Sequence, residues 1–251
     1  MHDKMIILDL DRTLLRNDKS ISEYSINILE KCKMSGYIIS FATARQKRGI
    51  LNYKEIVRPI GLVLNNGANI YVKDRLLKQF GIPSKKTKEI VGLLERRFPN
   101  ATLSVEIDDV MYTNFIPPDK TPYVKINFNE LPEKIADRIV IGTIPLEEIM
   151  TIEHLITEDL YFELNYGRYG FIMDKKVSKW LGVVELLKYL GIKIENTIAF
   201  GDDFGDIEII KNCGRGICVK NGLEEVKAVA DELCDSNEND GVAKWLEKNL
   251  L

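Results

Sequence analysis

Met5-Ile-Ile-Leu-Asp-Leu10 is a short apolar run that ends among carboxylates, as a strand buried on both faces does. Such a strand belongs in a parallel sheet covered by helices. From Ser22 to Ser35, Ile26, Leu29 and Met34 recur near helical spacing, and Gly36 supplies a stop. Tyr37 to Phe41 and Gly61 to Leu64 read as further strands. Strands separated by helical segments indicate right-handed crossovers and an α/β fold with a Rossmann-like parallel sheet.

The middle of the chain has a different texture. Lys85 to Phe98 reads as a helix with Ile90, Val91, Leu94 and Phe98 along one side. Two strand-like runs, Thr102 to Ile107 and Val110 to Phe115, flank Asp108-Asp109, a hairpin turn. A connection rich in proline (Pro117, Pro118, Pro122) leads to a strand around Tyr123 to Phe128. Arg138 to Ile141 reads as a strand and Leu146 to Thr157 as a helix; Leu160 to Asn165 and Tyr169 to Met173 form a second hairpin about Gly167. After that the earlier style returns. Val177, Trp180, Leu181, Val184 and Leu187 form a helical stripe that ends at Gly191, and strands follow at Thr197 to Phe200 and Gly216 to Val219. The chain therefore reads as core, insert, core: residues 1–81 and 174–251 enclose an α+β insert at 82–173.

Composition narrows the function classes. With 251 residues, 45% of them hydrophobic and 29% charged, the chain is an ordinary globular protein. A net charge of −3 gives no global attraction to nucleic acid or anionic membrane. No stretch approaches the roughly 20 apolar residues that span a bilayer. Cys32, Cys213, Cys218 and Cys234 form no CxxC pair and read as reduced, buried thiols. The expectation is a cytoplasmic enzyme or binding protein, monomer or homodimer, acting on a small molecule.

The polar residues carry more information. Asp9 and Asp11 close the first strand, Thr43 closes the second, and Asp202 with Asp203 closes the strand after the insert. In an open parallel sheet, ligands bind outside the carboxyl ends of the strands. Lys179 lies in the first turn of a crossover helix, whose N-terminus sits at that same edge. Each residue alone has a duller use: an aspartate as a helix cap, a threonine as a structural hydroxyl, a lysine on a solvated helix face. Together they mark one edge. Clustered carboxylates repel unless a cation lies between them, and oxygen ligands in this number suit Mg²⁺.

These motifs resemble those of the haloacid dehalogenase superfamily of phosphatases, in its Cof-type branch with a large C2-type cap. The resemblance rests on Asp9-Leu-Asp11-Arg-Thr13, Phe41-Ala-Thr43-Ala-Arg45, Val177-Ser-Lys179 and Gly201-Asp-Asp-Phe-Gly-Asp206, in that order. Asn66-Gly67-Ala68 and the tail Ser236-Asn-Glu-Asn-Asp-Gly241 match as well. It implies that Asp9 attacks phosphorus and that Asp11 serves as acid and base. It also implies that Thr43 and Lys179 hold phosphoryl oxygens. Mg²⁺ would be bound by Asp9, the Asp11 carbonyl and Asp202, with Asp203 or Asp206 in support. Arg45 and Asn66 are further candidate substrate contacts. Three departures stand out: Arg12 where glycine is common, Ala44 for a usual glycine and Gly205 for a usual asparagine.

In this branch the inserted cap supplies specificity, which directs attention to Glu163, Asn165, Tyr166, Arg168 and Tyr169 near its end. Lys85, Lys86, Lys88, Arg96 and Arg97 read as a solvated helix face, and His154 as structural. The leading expectation is a Mg²⁺-dependent phosphatase acting on a small-molecule phosphate ester. A phosphosugar mutase of the same superfamily shares the Asp9 and Asp11 chemistry. A receiver-like signalling domain has its acids and lysine in another order and lacks an insert. A non-catalytic phosphate-binding protein would not need every charged position retained.

Overall fold

The apolar run at the N-terminus forms β1 (Lys4–Leu8), buried from Met5 onward. A computed structural model describes residues 4–117, 121–165 and 167–251. Helix α1 (Glu23–Met34) follows, its N-terminus capped by the Ser22 hydroxyl, which accepts the Ser25 N–H. Its buried face is Ser25, Ile28, Leu29 and Cys32. Met34, expected to face the core, is exposed at the helix end, where Gly36 turns the chain at φ 90°. Then come β2 (Tyr37–Ala42), α2 (Leu51–Val57) and β3 (Gly61–Leu64). Two strands absent from the sequence reading, β4 (Asn69–Val72) and β5 (Arg75–Gln79), complete this part. They are joined by Lys73 and Asp74, both left-handed (φ 46° and 69°), as a tight two-residue hairpin turn requires.

The insert opens with α3 (Ser84–Arg97), whose Thr87, Ile90, Val91 and Leu94 are buried. Strands β6 (Thr102–Ile107) and β7 (Val110–Thr113) are joined at Asp108-Asp109, again with both residues left-handed. After β8 (Tyr123–Lys125) and β9 (Arg138–Gly142), the helix expected over Leu146 to Thr157 is only α4 (Leu146–Met150) and a short turn. There the ladder tightens to bonds three residues apart, with the Thr151 N–H on the Glu148 carbonyl, the His154 N–H on the Thr151 carbonyl and the Leu155 N–H on the Ile152 carbonyl. Strands β10 (Leu160–Asn165) and β11 (Tyr169–Asp174) end the insert. Pro118 and Tyr166 lie outside the described residues, as does the side chain of Asn165.

Helix α5 (Lys179–Leu190), β12 (Thr197–Gly201), α6 (Ile207–Asn212), β13 (Arg215–Val219), α7 (Glu224–Lys227), β14 (Glu232–Cys234) and α8 (Gly241–Leu250) rebuild the first unit. Among the described residues its sheet has the order β14-β13-β12-β1-β2-β3-β4-β5. The strands from β14 to β3 are parallel, and β4 reverses. Met5 pairs with Thr197 and Leu8 with Phe200, so the two halves of the chain meet at the centre of the sheet. The core of this unit packs Ile6, Leu8, Phe41 and Phe200 with Leu29 and Cys32 of α1 and Trp245 and Leu246 of α8.

The insert has its own sheet, β10-β11-β9-β6-β7-β8, antiparallel except for the β7–β8 pair. Its separate core joins Ile90, Val91 and Leu94 to Leu103, Val105, Ile139 and Ile141. The compact unit is Gln79–Val177, slightly wider than the 82–173 read from sequence. Ile82 and Ala136 exchange backbone hydrogen bonds, and Gln79 donates to the Asp137 carboxylate, so the entering linker belongs to the insert. Among the described residues, no helix is long and apolar enough to cross a membrane.

Candidate active site

Asp9 is the first residue beyond β1, and its N–H still reaches the Phe200 carbonyl of β12 at 3.1 Å. That sheet bond carries its carboxylate to the edge where β12 ends. Asp202 leaves β12 beside it, and Asp206 returns toward both from the next turn. Gly201 permits this return, because a Cβ there would stand 2.5 Å from the Asp206 Cβ. Carboxylate oxygens of Asp9, Asp202 and Asp206 lie within 4.8 Å of one another, and all three residues are buried.

Lys179 is the cation of this group and is itself buried. Its Nζ donates to Asp9 Oδ1 at 2.8 Å and to Asp206 Oδ1 at 2.7 Å. Its helix begins at Ser178, whose hydroxyl caps the Leu181 N–H. The Asn65-Asn66-Gly67 turn packs on that start. Gly67 has φ 102°, and a Cβ there would meet the Ser178 carbonyl oxygen at 2.0 Å, so this close approach admits only glycine. Asn66 is left-handed at φ 57°, and its N–H donates to the Thr43 carbonyl at 3.2 Å. Thr43 is buried at the end of β2, and its hydroxyl accepts the Arg45 N–H.

Asp206 has both oxygens engaged: Oδ1 by Lys179, Oδ2 by the N–H groups of Asp202 and Asp203 at 3.1 and 3.3 Å. Asp202 Oδ1 accepts the Thr13 hydroxyl at 2.9 Å. Among the described residues, Asp9 Oδ2 and Asp202 Oδ2 accept no hydrogen bond. Burial, reinforced by the charges of Asp206 and Asp202 and opposed by Lys179, raises the Asp9 carboxyl well above its usual range. Burial and the Asp206 charge push Asp202 up to about 7. Burial works against the Lys179 ammonium, but Asp206 and Asp9 outweigh it and hold the lysine charged. Three acids and one lysine leave negative charge uncompensated, and two hard oxygens are open. That donor set fits a divalent cation.

Asp11 is arranged differently. Its side chain is 33% exposed and is clamped by Arg45, with Nε on Oδ2 at 2.6 Å and Nη2 on Oδ1 at 2.7 Å. Lys19 Nζ adds a third bond at 2.7 Å. Partial burial raises the Asp11 pKa, but the hydrogen bonds of Arg45 and Lys19 prevail and hold it at about 2. Arg45 also stacks on Tyr53 and donates to the Gly49 carbonyl.

The structure thus brings together Asp9, Lys179, Asp202 and Asp206, and pairs Asp11 with Arg45. Asp203 is exposed; its carboxylate caps the turn at Phe204–Asp206 and stands outside the acid cluster. Arg168 belongs to the insert, where it lines an open cavity of about 380 Å³ with Thr143, Ile144, Leu146, Ile149 and Tyr169. Thr13 and Lys19 had no role from sequence. Thr13 sits within the first motif, where its hydroxyl was the available signal, whereas Lys19 reaches back to Asp11 only because of a turn.

The family profile of haloacid dehalogenase-like hydrolases matches residues 6–246. The 5-amino-6-(5-phospho-D-ribitylamino)uracil phosphatase YitU of Bacillus subtilis is 26% identical over 260 residues, covering 97% of this chain and 96% of that protein. The pyridoxal phosphate phosphatase YbhA of Escherichia coli is 22% identical over 280 residues, with full coverage of both. Among solved structures, TM0651 of Thermotoga maritima superposes with a TM-score of 0.89 at 23% identity, covering 99% of this chain and 98% of that one. A haloacid dehalogenase-like hydrolase of Bacteroides thetaiotaomicron gives 0.86 at 22%, with 98% coverage of each. With a parallel sheet that gathers buried acids and a lysine at one edge, and a profile match spanning nearly its whole length, the chain belongs to the haloacid dehalogenase-like hydrolase family.

Proposed function

We propose that this chain is a Mg²⁺-dependent phosphatase that releases phosphate from a small soluble metabolite through an aspartyl-phosphate on Asp9. The carrying observation is the buried group in which Lys179 bonds Asp9 at 2.8 Å beside Asp202 and Asp206. A phosphoric monoester hydrolase must bring a nucleophile to a phosphate dianion, so its catalysis is mainly positioning and charge neutralisation. Asp9 supplies the nucleophile. Mg²⁺, held by Asp9, the Asp11 backbone carbonyl and Asp202, would supply neutralising charge when bound. Lys179 and the Thr43 hydroxyl take phosphoryl oxygens, and Asp206, with both oxygens engaged, orients Lys179.

In the first step the Asp9 carboxylate bonds to phosphorus, the ester P–O bond breaks, and the departing oxygen takes a proton from Asp11. In the second, water bonds to phosphorus and gives its proton to Asp11, and the Asp9–phosphorus link breaks. The clamp of Arg45 and Lys19 holds Asp11 ionised, which is the form the second step uses. For the first step Asp11 must leave that clamp, so the clamped state is the resting one. The insert is the specificity unit, with Arg168 and the cavity beside it as candidate contacts.

The test is phosphate release from a panel including sugar phosphates, pyridoxal phosphate and the ribitylaminouracil phosphate, with and without chelator. Sustained release that needs Mg²⁺ is expected; undiminished turnover after exhaustive chelation would sink the metal role. Asp11→Asn sharpens it. General acid–base help is worth about 10² to 10⁴ in rate, but an aryl phosphate needs little protonation of its leaving group. The variant should therefore form the acyl phosphate and fail to hydrolyse it. Acid quench and peptide mapping should find one phosphoryl group on Asp9, and an adduct elsewhere overturns the mechanism.

A further inference from the structure

Arg12 stands directly before Thr13, the last residue of the first motif, with φ 62°, a backbone conformation that glycine adopts freely and a residue with a Cβ adopts at a cost. A side chain kept at such a position calls for a physical reason. It does not lie in burial, since the Arg12 side chain is 55% exposed. The guanidinium is nevertheless tethered. Its Nη2 donates to the Asn221 carbonyl at 3.2 Å, and the Asn221 amide donates back to the Arg12 carbonyl at 2.8 Å. The Asn221 side-chain oxygen in turn accepts the Asn237 N–H at 2.9 Å. This tether leaves Arg12 Nε 3.8 Å from Asp202 Oδ2.

That oxygen is the informative one. Asp202 Oδ1 is taken by Thr13, and Lys179 bonds Asp9 and Asp206 but not Asp202. Among the described residues, Arg12 is the ion-pair partner of Asp202, and it faces the oxygen left open for a cation. We propose that Arg12 is a built-in counter-cation of Asp202 that weakens the divalent-cation site and so sets the free Mg²⁺ concentration at which it fills. With Mg²⁺ away, the guanidinium offsets the Asp202 charge; with Mg²⁺ bound, the two cations repel. The inference rests on the reading that Asp9 and Asp202 hold the metal.

The test is a calorimetric titration of the full chain with MgCl₂, comparing wild type with Arg12→Gly, Arg12→Gln and Arg12→Lys. A partly solvated charge changes affinity by up to about fivefold. The dissociation constant should fall by that factor in Arg12→Gly and Arg12→Gln and stay near wild type in Arg12→Lys. The gain should shrink as salt is raised, because the guanidinium is partly exposed. Arg12→Gln keeps the left-handed strain while removing the charge. An unchanged constant in that variant, or tightening confined to Arg12→Gly, overturns the proposal. If wild type and all variants bind no Mg²⁺, the underlying metal reading falls with it.

Discussion

Asp9 and Asp11 are two residues apart at the end of one strand, and their surroundings are opposite. Asp9 is buried with two other carboxylates and one lysine, and its carboxyl is driven upward. Asp11 points to the rim, where two cations hold it near 2. Strand alternation sends neighbours but one to the same side while β geometry holds. Here the strand has ended at Leu8, and the turn at Leu10–Leu15 gives each acid its own environment. Two like side chains become chemically distinct through burial and partner alone.

The comparison breaks most sharply at Lys179. Lys179→Met should abolish turnover and, by leaving Asp9 and Asp206 buried without their cation, destabilise the fold by about 3–5 kcal/mol. Denaturant unfolding of the metal-free protein measures this, and a loss below 1 kcal/mol would show that the buried side is not held by charge.

A second contrast concerns pH. The folded Asp202 pKa of about 7 lies above the ordinary 3.8, so its contribution is full below about pH 4 and is lost as pH rises through 7. The folded Asp11 pKa of about 2 lies below 3.8, so its contribution is full above that value and is lost as pH falls through 2. Melting temperatures of metal-free protein should decline between pH 5 and 8, and Mg²⁺ should reverse the decline. A flat profile without metal contradicts the buried reading. Arg45→Gln should raise the Asp11 pKa, which a titration of labelled aspartate carboxyls would detect. The smallest effect is expected from Gly205→Asn. A Cβ at 205 would touch the Lys179 stem at 3.6 Å, an ordinary contact. Turnover within about threefold of wild type is the expected outcome, consistent with a surface change away from strained features.

The strand-end rule made Asp9, Thr43 and Asp202 visible in the sequence, and crossover geometry did the same for Lys179. The helix face behind Lys179 was misread for an instructive reason. Periodicity places Trp180, Leu181 and Val184 inward, yet the buried residues of α5 are Lys179, Gly182, Val183, Leu186 and Leu187. A face that begins with a lysine and a glycine does not look apolar, so the buried lysine hid the stripe it belongs to. The β4–β5 hairpin was missed because Lys73-Asp74 is a weak turn signal. Side-chain pairings such as Arg45 with Asp11, or the full engagement of Asp206, depend on tertiary distances that no spacing encodes.

The pairing of Met5 with Thr197 has a consequence for how the protein is made. A ribosome adding roughly 5–20 residues per second needs about 10–40 s to reach the second strand after finishing the first. During that interval β1 has β2 on one flank and an open edge on the other. The insert, whose core is drawn wholly from its own segment, is complete by Val177 and does not have to wait. A nascent chain halted before Thr197 should therefore resist protease across the insert and be cut readily near its beginning. Until the last quarter emerges, the acids of the site have no shared edge on which to meet.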